Sequence, residues 1–306
     1  MAGPQPAPRG DARRHRGGSG MSRPEPLASV RSPRVVAARR LAKRAFRARE
    51  RKFLVEGPQA VREAVAEPGI VDEIFVTAEA AQRHSELVRA ARTAGALVQL
   101  ARGDVIGSLA NTVTPQGIIA VCRYIDVSLA SVLATEPRLV AVLAKVRDPG
   151  NAGTIIRAAD AAGADAVVFT DGSVDPYNPK CVRATAGSMF HLPVVAGITA
   201  AGATSALRDA GLRVLAADGH GSQDLDAALD AGELATPTAW VFGNEAWGLP
   251  PDTLALADAV VRIPIHGRAE SLNLAAAAAV CLYASARSQR RAERLVPQET
   301  RSHRRQ

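Results

Sequence analysis

The sequence predicts an α/β protein in two units, the second built on a parallel sheet, and three observations predict it. Short β-branched runs alternate with helical stretches from residue 53 to residue 286, the pattern of strands joined by crossover helices. Turn-forming residues follow two of these runs, at Asp148-Pro149-Gly150 and at Gly243-Asn244, and parallel sheets bind ligands where their strands end. The third observation is an almost uninterrupted apolar, Ala-rich run from Leu274 to Ala286. Such a helix needs covering on more than one side, by a sheet and a second subunit, and it is too short to span a bilayer.

Residues 1–33 are rich in Pro, Gly, Arg and Ser, a composition that predicts a basic arm without structure until bound. Met21 lies inside it and offers a second start of translation, with residues 1–20 then dispensable. From Arg34 to Arg49, Val35, Ala38, Leu41, Ala42, Ala45 and Phe46 recur at helical spacing between Arg and Lys residues, which predicts one basic amphipathic helix. Phe53–Gly57 reads as a strand ending at a Gly-Pro turn, with a helix over Gln59–Ala66. Strand Asp72–Thr77, helix Ala78–Ala94, strand Ala96–Leu100, a short helix near Asp104–Ala110 and strand Gly117–Arg123 complete a first unit over 34–124.

A linker over 125–137 precedes the second unit, 138–291, and a basic tail, 292–306. In the second unit the expected elements are strand Arg138–Ala144, a helix ending at Ala162, strand Asp165–Thr170, a helix near Lys180–Gly187 and strand Leu192–Val195. Helix Thr199–Ala210, strand Leu212–Ala217, strand Thr238–Phe242 and the final helix follow.

With 306 residues and 47% apolar content the chain can fill such cores. The first thirty residues hold no apolar signal region, and no stretch reaches membrane length, so a cytoplasmic location is expected. Cys122, Cys181 and Cys281 show no CxxC spacing and the histidines no HxxxH pair, so neither a disulfide framework nor a metal is expected. Gly219-His220-Gly221 lacks a third glycine, and there is no Gly-Lys-Ser/Thr, which disfavours a dinucleotide site and a P-loop. Of the net charge of +8, residues 1–52 carry +12 and residues 287–306 carry +5, leaving −9 between them. Basic ends on an acidic body suit a polyanion, because they neutralise phosphates and release counterions.

Three segments carry the chemistry: Asp148-Pro149-Gly150-Asn151 running on to Arg157, Gly243-Asn244-Glu245-Ala246-Trp247-Gly248-Leu249, and Ile263 to Leu274. On its own, Arg157 reads as a surface partner of Asp160, and Ser271 or Asn273 as a helix N-cap. Asn151 is an N-cap, a residue that shapes the site, or both. Together and in this order, the three segments resemble the signature motifs of the SpoU (TrmH-like) branch of the SPOUT methyltransferases, which methylate the ribose 2'-hydroxyl of RNA with S-adenosyl-L-methionine.

That resemblance implies a trefoil knot in the second unit, with Gly243, Ile263 and Leu272 contacting the cofactor. It implies that Arg157 acts on the ribose hydroxyl and that Asn151, Glu245, Ser271 and Asn273 complete the site. Ala152, Ala158 and Ala275 are smaller or less polar than the family usually shows. The first unit resembles the substrate-binding domain of many SpoU enzymes, similar in fold to an RNA-binding ribosomal protein. Arg39, Arg40, Lys43, Arg44, Arg47 and Arg51, with Arg183 and Ser188, are the RNA contacts expected. The implied activity is methylation of ribosomal RNA by a homodimer. A transfer-RNA methyltransferase and an inactive RNA-binding protein of the same fold are the alternatives.

Overall fold

Four strands form the sheet of the first unit: β1 (Lys52–Glu56), β2 (Val71–Val76), β3 (Leu97–Leu100) and β4 (Ile118–Arg123), in the order β1-β4-β2-β3. The structure is a computed structural model and describes residues 29–295 together with Gly3 and Leu27. β4 runs antiparallel to β1 and β2, while β2 and β3, separated by helices, run parallel. Alternate side chains serve opposite faces: Phe53, Val55, Ile74 and Val76 enter one core, and Leu54 and Phe75 enter the other with Val35, Leu41 and Ile106.

Two helices expected as single pieces are broken. Residues 34–49 divide into Pro33–Arg40 and Arg44–Glu50. Leu41 turns into the core at 3% exposure. The Arg47 guanidinium donates to the Leu41 and Ala42 carbonyls at 2.9 and 2.8 Å, satisfying acceptors that the break leaves free. The expected helix Ala78–Ala94 is interrupted at His84 into Ala78–Arg83, capped by Thr77, and Ser85–Thr93, which buries Leu87, Val88 and Ala91.

The segment 125–137 is not a bare linker, because Ser128 caps a helix over Leu129–Leu133 whose Leu129 and Val132 are buried beneath the second sheet. Leu27, expected in the free arm, pairs with the sheet edge through its N–H to the Leu100 carbonyl and its carbonyl to the Arg102 N–H. The rest of the arm up to 26, Met21 included, and the tail from 296 lie outside the described residues.

The second unit is a seven-stranded parallel sheet of β5 (Leu139–Leu143), β6 (Ala166–Thr170), β7 (Val194–Ile198), β8 (Arg213–Ala217), β9 (Gln223–Asp224), β10 (Thr238–Phe242) and β11 (Ala259–Arg262), ordered β7-β6-β5-β10-β8-β11-β9. Every residue of β5, β6 and β10 is buried, as expected of parallel strands covered on both faces. Leu139, Ala141, Leu143, Trp240 and Phe242 pack with the helix Pro149–Ala162 and the final helix, while Val140, Val142, Ala239 and Val241 pack with the helix Ala200–Asp209. From β5 the chain moves outward to β6 and β7, then crosses to the other side for the remaining strands. The switch in direction therefore falls between β5 and β10, where ligands of parallel sheets bind.

Sequence patterning assigns no element between Ala217 and Thr238 or between Leu249 and Ile263; the structure places β9, β11 and the short helices Leu225–Asp230 and Pro251–Leu254 there. Each is six residues or fewer, too short to establish a period. The final helix runs Leu274–Leu295, past Ala286 into the expected tail. Polar residues hold this extension: Ser285 Oγ accepts from Trp240 Nε1 at 2.8 Å, and Gln289 Nε2 donates to the carbonyls of Arg138 and Thr236. Among the described residues, no helix is long and apolar enough to cross a membrane.

The two units share one core. Phe53 lies 4.7 Å from Tyr177 between ring centroids, and Tyr177 stacks on Tyr124 at 3.7 Å. Such pairs each contribute about 0.5–1.5 kcal/mol beyond burial. Tyr177 Oη accepts from the Ile125 and Asp126 N–H groups and donates to Asp126 Oδ1, and burial pushes its pKa up. The three cysteines are buried in these cores, and burial pushes their thiols up as well.

Candidate active site

The loop after β5 is held from below by Val146, which is fully buried, while Lys145 and Arg147 on either side of it are exposed. Lys145 adopts a left-handed backbone, φ 58°, a conformation a non-glycine residue rarely keeps unless its surroundings require it. Here its carbonyl accepts a 3.2 Å bond from Asn244 Nδ2 and so ties this loop to the one after β10. The helix Pro149–Ala162 begins with Asp148 as N-cap and Pro149 at its first position. Asp148 Oδ1 accepts from the Asn151 N–H at 2.8 Å, and Oδ2 pairs with Lys180 Nζ at 2.8 Å. The Lys180 bond, followed by the Asn151 N–H, holds the Asp148 carboxyl below its ordinary range. Asn151 is thus not the cap, and its side chain is free to act between loops.

After β10 the chain enters a tight turn. A Cβ on Gly243 would stand 2.5 Å from the Gly248 carbonyl carbon and 2.7 Å from Leu249 N, so no larger residue fits without moving backbone. Asn244 and Gly248 exchange backbone bonds of 2.8 and 2.9 Å, and Asn244 Oδ1 accepts from the Ala246 N–H. This turn aims Glu245 back at the first loop. Its carboxylate accepts from the N–H groups of Arg147 (3.4 Å) and Asp148 (3.2 Å) and from Asn151 Nδ2 (3.2 Å).

The third loop, 263–273, follows β11. Asn273 Nδ2 donates to Asn151 Oδ1 at 3.1 Å, and Asn273 Oδ1 accepts from the N–H groups of Ala275 and Ala276. Of the two candidate caps, Asn273 therefore starts the final helix; Ser271 is exposed and makes no hydrogen bond. The side chains of Glu245, Asn151 and Asn273 form one hydrogen-bonded series across three loops at the switch point of the sheet.

Residues 263–272 make no backbone–backbone hydrogen bond, so their N–H and carbonyl groups are available to a ligand. Ile263 is half-buried, while Ile265 and Leu272 are 39% and 40% exposed. Unused backbone donors and acceptors beside apolar side chains fit a flat, polar-edged ring such as adenine.

Arg157 is exposed, six residues beyond Asn151 and about 9 Å along the helix axis. It does not pair with Asp160, whose carboxylate instead meets His191 Nδ1 at 2.8 Å. Among the described residues Arg157 has no ion pair. Arg183 is likewise exposed and unpaired, whereas Ser188 is buried at 8% and points away from any RNA-facing surface.

Arg39, Arg40, Lys43, Arg44 and Arg51 are exposed. Arg51 lies 4.5 Å over the Tyr124 ring and pairs with Asp126. Arg47 is a correction: it is 2% exposed, and besides its two carbonyl bonds it meets Asp175 Oδ2 at 2.6 Å. It joins the two units and is not on the basic surface.

Asp148, Lys180 and Asn244 hold the site together but carry no assignment from sequence. Asp-Pro before a helix signals a cap, which is enough to find Asp148. Lys180 and Asn244 act through contacts 32 and 99 residues away along the chain, which local patterning does not reach.

Residues 138–283 match the SpoU rRNA Methylase family, and residues 32–120 match the MRM3-like substrate binding domain. The chain is 35% identical over 260 residues to the 23S rRNA (guanosine(2553)-2'-O)-methyltransferase RlmP of Bacillus subtilis, covering 84% of this chain and 97% of that protein. Its fold is similar to the AdoMet-bound rRNA methyltransferase from Sinorhizobium meliloti, at 29% identity and a TM-score of 0.75 over 89% of this chain and 99% of the other. It is also similar to the SpoU methyltransferase AviRb from Streptomyces viridochromogenes in complex with AdoMet, at 31% identity and a TM-score of 0.73 over 85% and 98%. The span matched from 138 to 283 contains all three hydrogen-bonded loops, and the chain belongs to the SpoU rRNA methylase family.

Proposed function

We propose that this protein transfers a methyl group from S-adenosylmethionine to a ribose 2'-hydroxyl of ribosomal RNA. The observation that carries the reading is the Glu245–Asn151–Asn273 series, which fixes three loops beside an unpaired Arg157. The cofactor, when bound, supplies a methyl group on a sulfonium, whose transfer needs alignment more than covalent help. Gly243, Ile263 and Leu272 would hold it through backbone groups and apolar contact, as the free backbone of 263–272 supports.

Arg157 is a poor base, because a guanidinium keeps its proton at any ordinary pH. Its planar fork suits binding the phosphate beside the target ribose and orienting the hydroxyl. Ser271, exposed on the third loop, faces the same space. The exposed cations Arg39, Arg40, Lys43, Arg44, Arg51 and Arg183 supply the phosphate contacts. The trefoil knot of the family and a cytoplasmic location belong to the same reading.

So does a homodimer. The final helix buries Ala275, Ala278, Cys281, Leu282 and Ala286 on one face but leaves Val280 and Tyr283 42% and 51% exposed on another. A second copy would cover them; a monomeric mass by light scattering at micromolar concentration would overturn this part.

Mapping 2'-O-methyl sites in total RNA from cells with and without the protein tests the activity. One ribosomal RNA site should vanish without it, and an unchanged map would overturn the proposal. Arg157→Lys should lose most turnover while binding the methyl donor normally, since it keeps the charge but not the fork. Near-normal turnover would exclude that role.

A further inference from the structure

The protein has two tryptophans in opposite settings. Trp240 is fully buried in β10, whereas Trp247 is 54% exposed in the turn after that strand. Leaving a large apolar ring in water forgoes the burial that normally places it inside a fold. The turn beneath it is well braced: Asn244 and Gly248 exchange backbone bonds, and both ends of the Asn244 amide are bonded, to Ala246 N–H and the Lys145 carbonyl. Trp247 is therefore displayed on a firm support two residues from Glu245.

The Arg147 guanidinium lies 5.1 Å from the Trp247 ring centroid. A cation over one face of an indole is attracted to it and leaves the opposite face open. Arg147 forms no ion pair, nor does Lys145 one residue beyond buried Val146, so both charges remain available to an anion. The two nearest carboxylates do not compete for them: Glu245 is taken up by backbone N–H groups and Asn151, and Asp148 by Lys180 and the Asn151 N–H. An open aromatic face beside unpaired cations is the chemistry that grips unpaired nucleotides, with the base stacked and its phosphate neutralised.

We propose that Trp247 is a stacking platform for an unpaired nucleobase flanking the methylated ribose, with Arg147 backing the ring and meeting the adjacent phosphate. This rests on the methyltransferase reading above and adds to it a subsite that selects single-stranded or looped RNA over continuous duplex.

Because Trp240 is enclosed, the emission quenched by acrylamide reports Trp247. Titrating the full-length protein with an unmodified 23S rRNA transcript should suppress that emission and shield it from acrylamide, while a fully paired RNA duplex should do neither. Trp247→Ala should bind the transcript about 5- to 150-fold more weakly, and Trp247→Phe should recover most of that loss. Unchanged emission at a saturation verified by gel retention, no retention of the transcript, or wild-type affinity in Trp247→Ala would each overturn the proposal. Shielding by S-adenosylmethionine alone, with no further change on adding RNA, would assign the ring to the methyl donor and overturn it too. Calorimetry of the donor against the wild-type protein is a separate arm: no heat of binding would sink the methyltransferase reading, and the emission result would still report on stacking.

Discussion

Replacing Arg47 with alanine separates a structural arginine from an RNA-binding one. The side chain is 3% exposed and its partner Asp175 10% exposed, at 2.6 Å. The same guanidinium serves the Leu41 and Ala42 carbonyls. Arg47→Ala leaves a buried carboxylate without its counter-charge and two carbonyls without donors, a change that costs about 3–5 kcal/mol. At about 2–4 °C per kcal/mol for a protein of this size, the melting temperature should fall by roughly 6–20 °C. Circular dichroism on heating reads that shift. Replacing both partners together, as Arg47→Met with Asp175→Leu, should restore most of it, because an apolar pair of similar volume carries no desolvation cost. A melting temperature within about 2 °C of wild type, with the loss confined to RNA affinity, would refute the reasoning and return Arg47 to the basic surface.

Three further outcomes follow from the same geometry. Gly243→Ala should cost about 1–3 kcal/mol of stability and abolish donor binding by calorimetry, because its Cβ meets the backbone of Gly248 and Leu249; unchanged donor affinity would show that the turn can yield. His191 bridges the units through Asp160 and Glu63, and the Asp160 bond, opposed by burial and aided by Glu63, raises its pKa above 6.5. Its contribution to stability is then fully present below about pH 6.5 and lost as pH rises through the folded value, so the melting difference between wild type and His191→Gln should shrink toward alkaline pH, and a difference that grows would reverse the sign argued here. Glu245→Ala and Asn273→Ala should each slow methyl transfer, and the double variant should be little worse than either alone, whereas fully additive losses would mean that the two do not act through Asn151.

The parallel sheet and the order of its major strands were legible because β5, β6 and β10 are continuous apolar runs bounded by turns. The three site loops were legible by resemblance, and Asn273 by its capping chemistry. What local patterning missed was settled by distant partners. Residues 34–49 carry an unbroken helical period, yet the helix breaks because Leu41 is wanted in the core and Arg47 can serve the exposed carbonyls. The same Arg47 looks like its basic neighbours until Asp175, 128 residues away, draws it inside. Ser285 and Gln289 read as the approach to a polar tail, but Trp240 and two carbonyls give them partners that keep the final helix going.

The hydrogen-bonded series at the site contributes little as a stability device. Glu245 is exposed, and each of its bonds would be worth about 1 kcal/mol at most in such a setting. As a positioning device the same bonds count for more, because a misplacement of about 1 Å at a reacting centre costs on the order of 100-fold in rate. The arrangement fits that purpose: one carboxylate grips the backbone of the first loop at Arg147 and Asp148, and Asn151 passes the constraint to Asn273 at the head of the final helix. Arg157 rides on the helix that Asn151 begins, so fixing Asn151 also fixes the base from which the unpaired guanidinium reaches toward RNA. The site thereby spends its bonding capacity on holding loops and leaves one cation, one open ring and a stretch of unbonded backbone for what it binds.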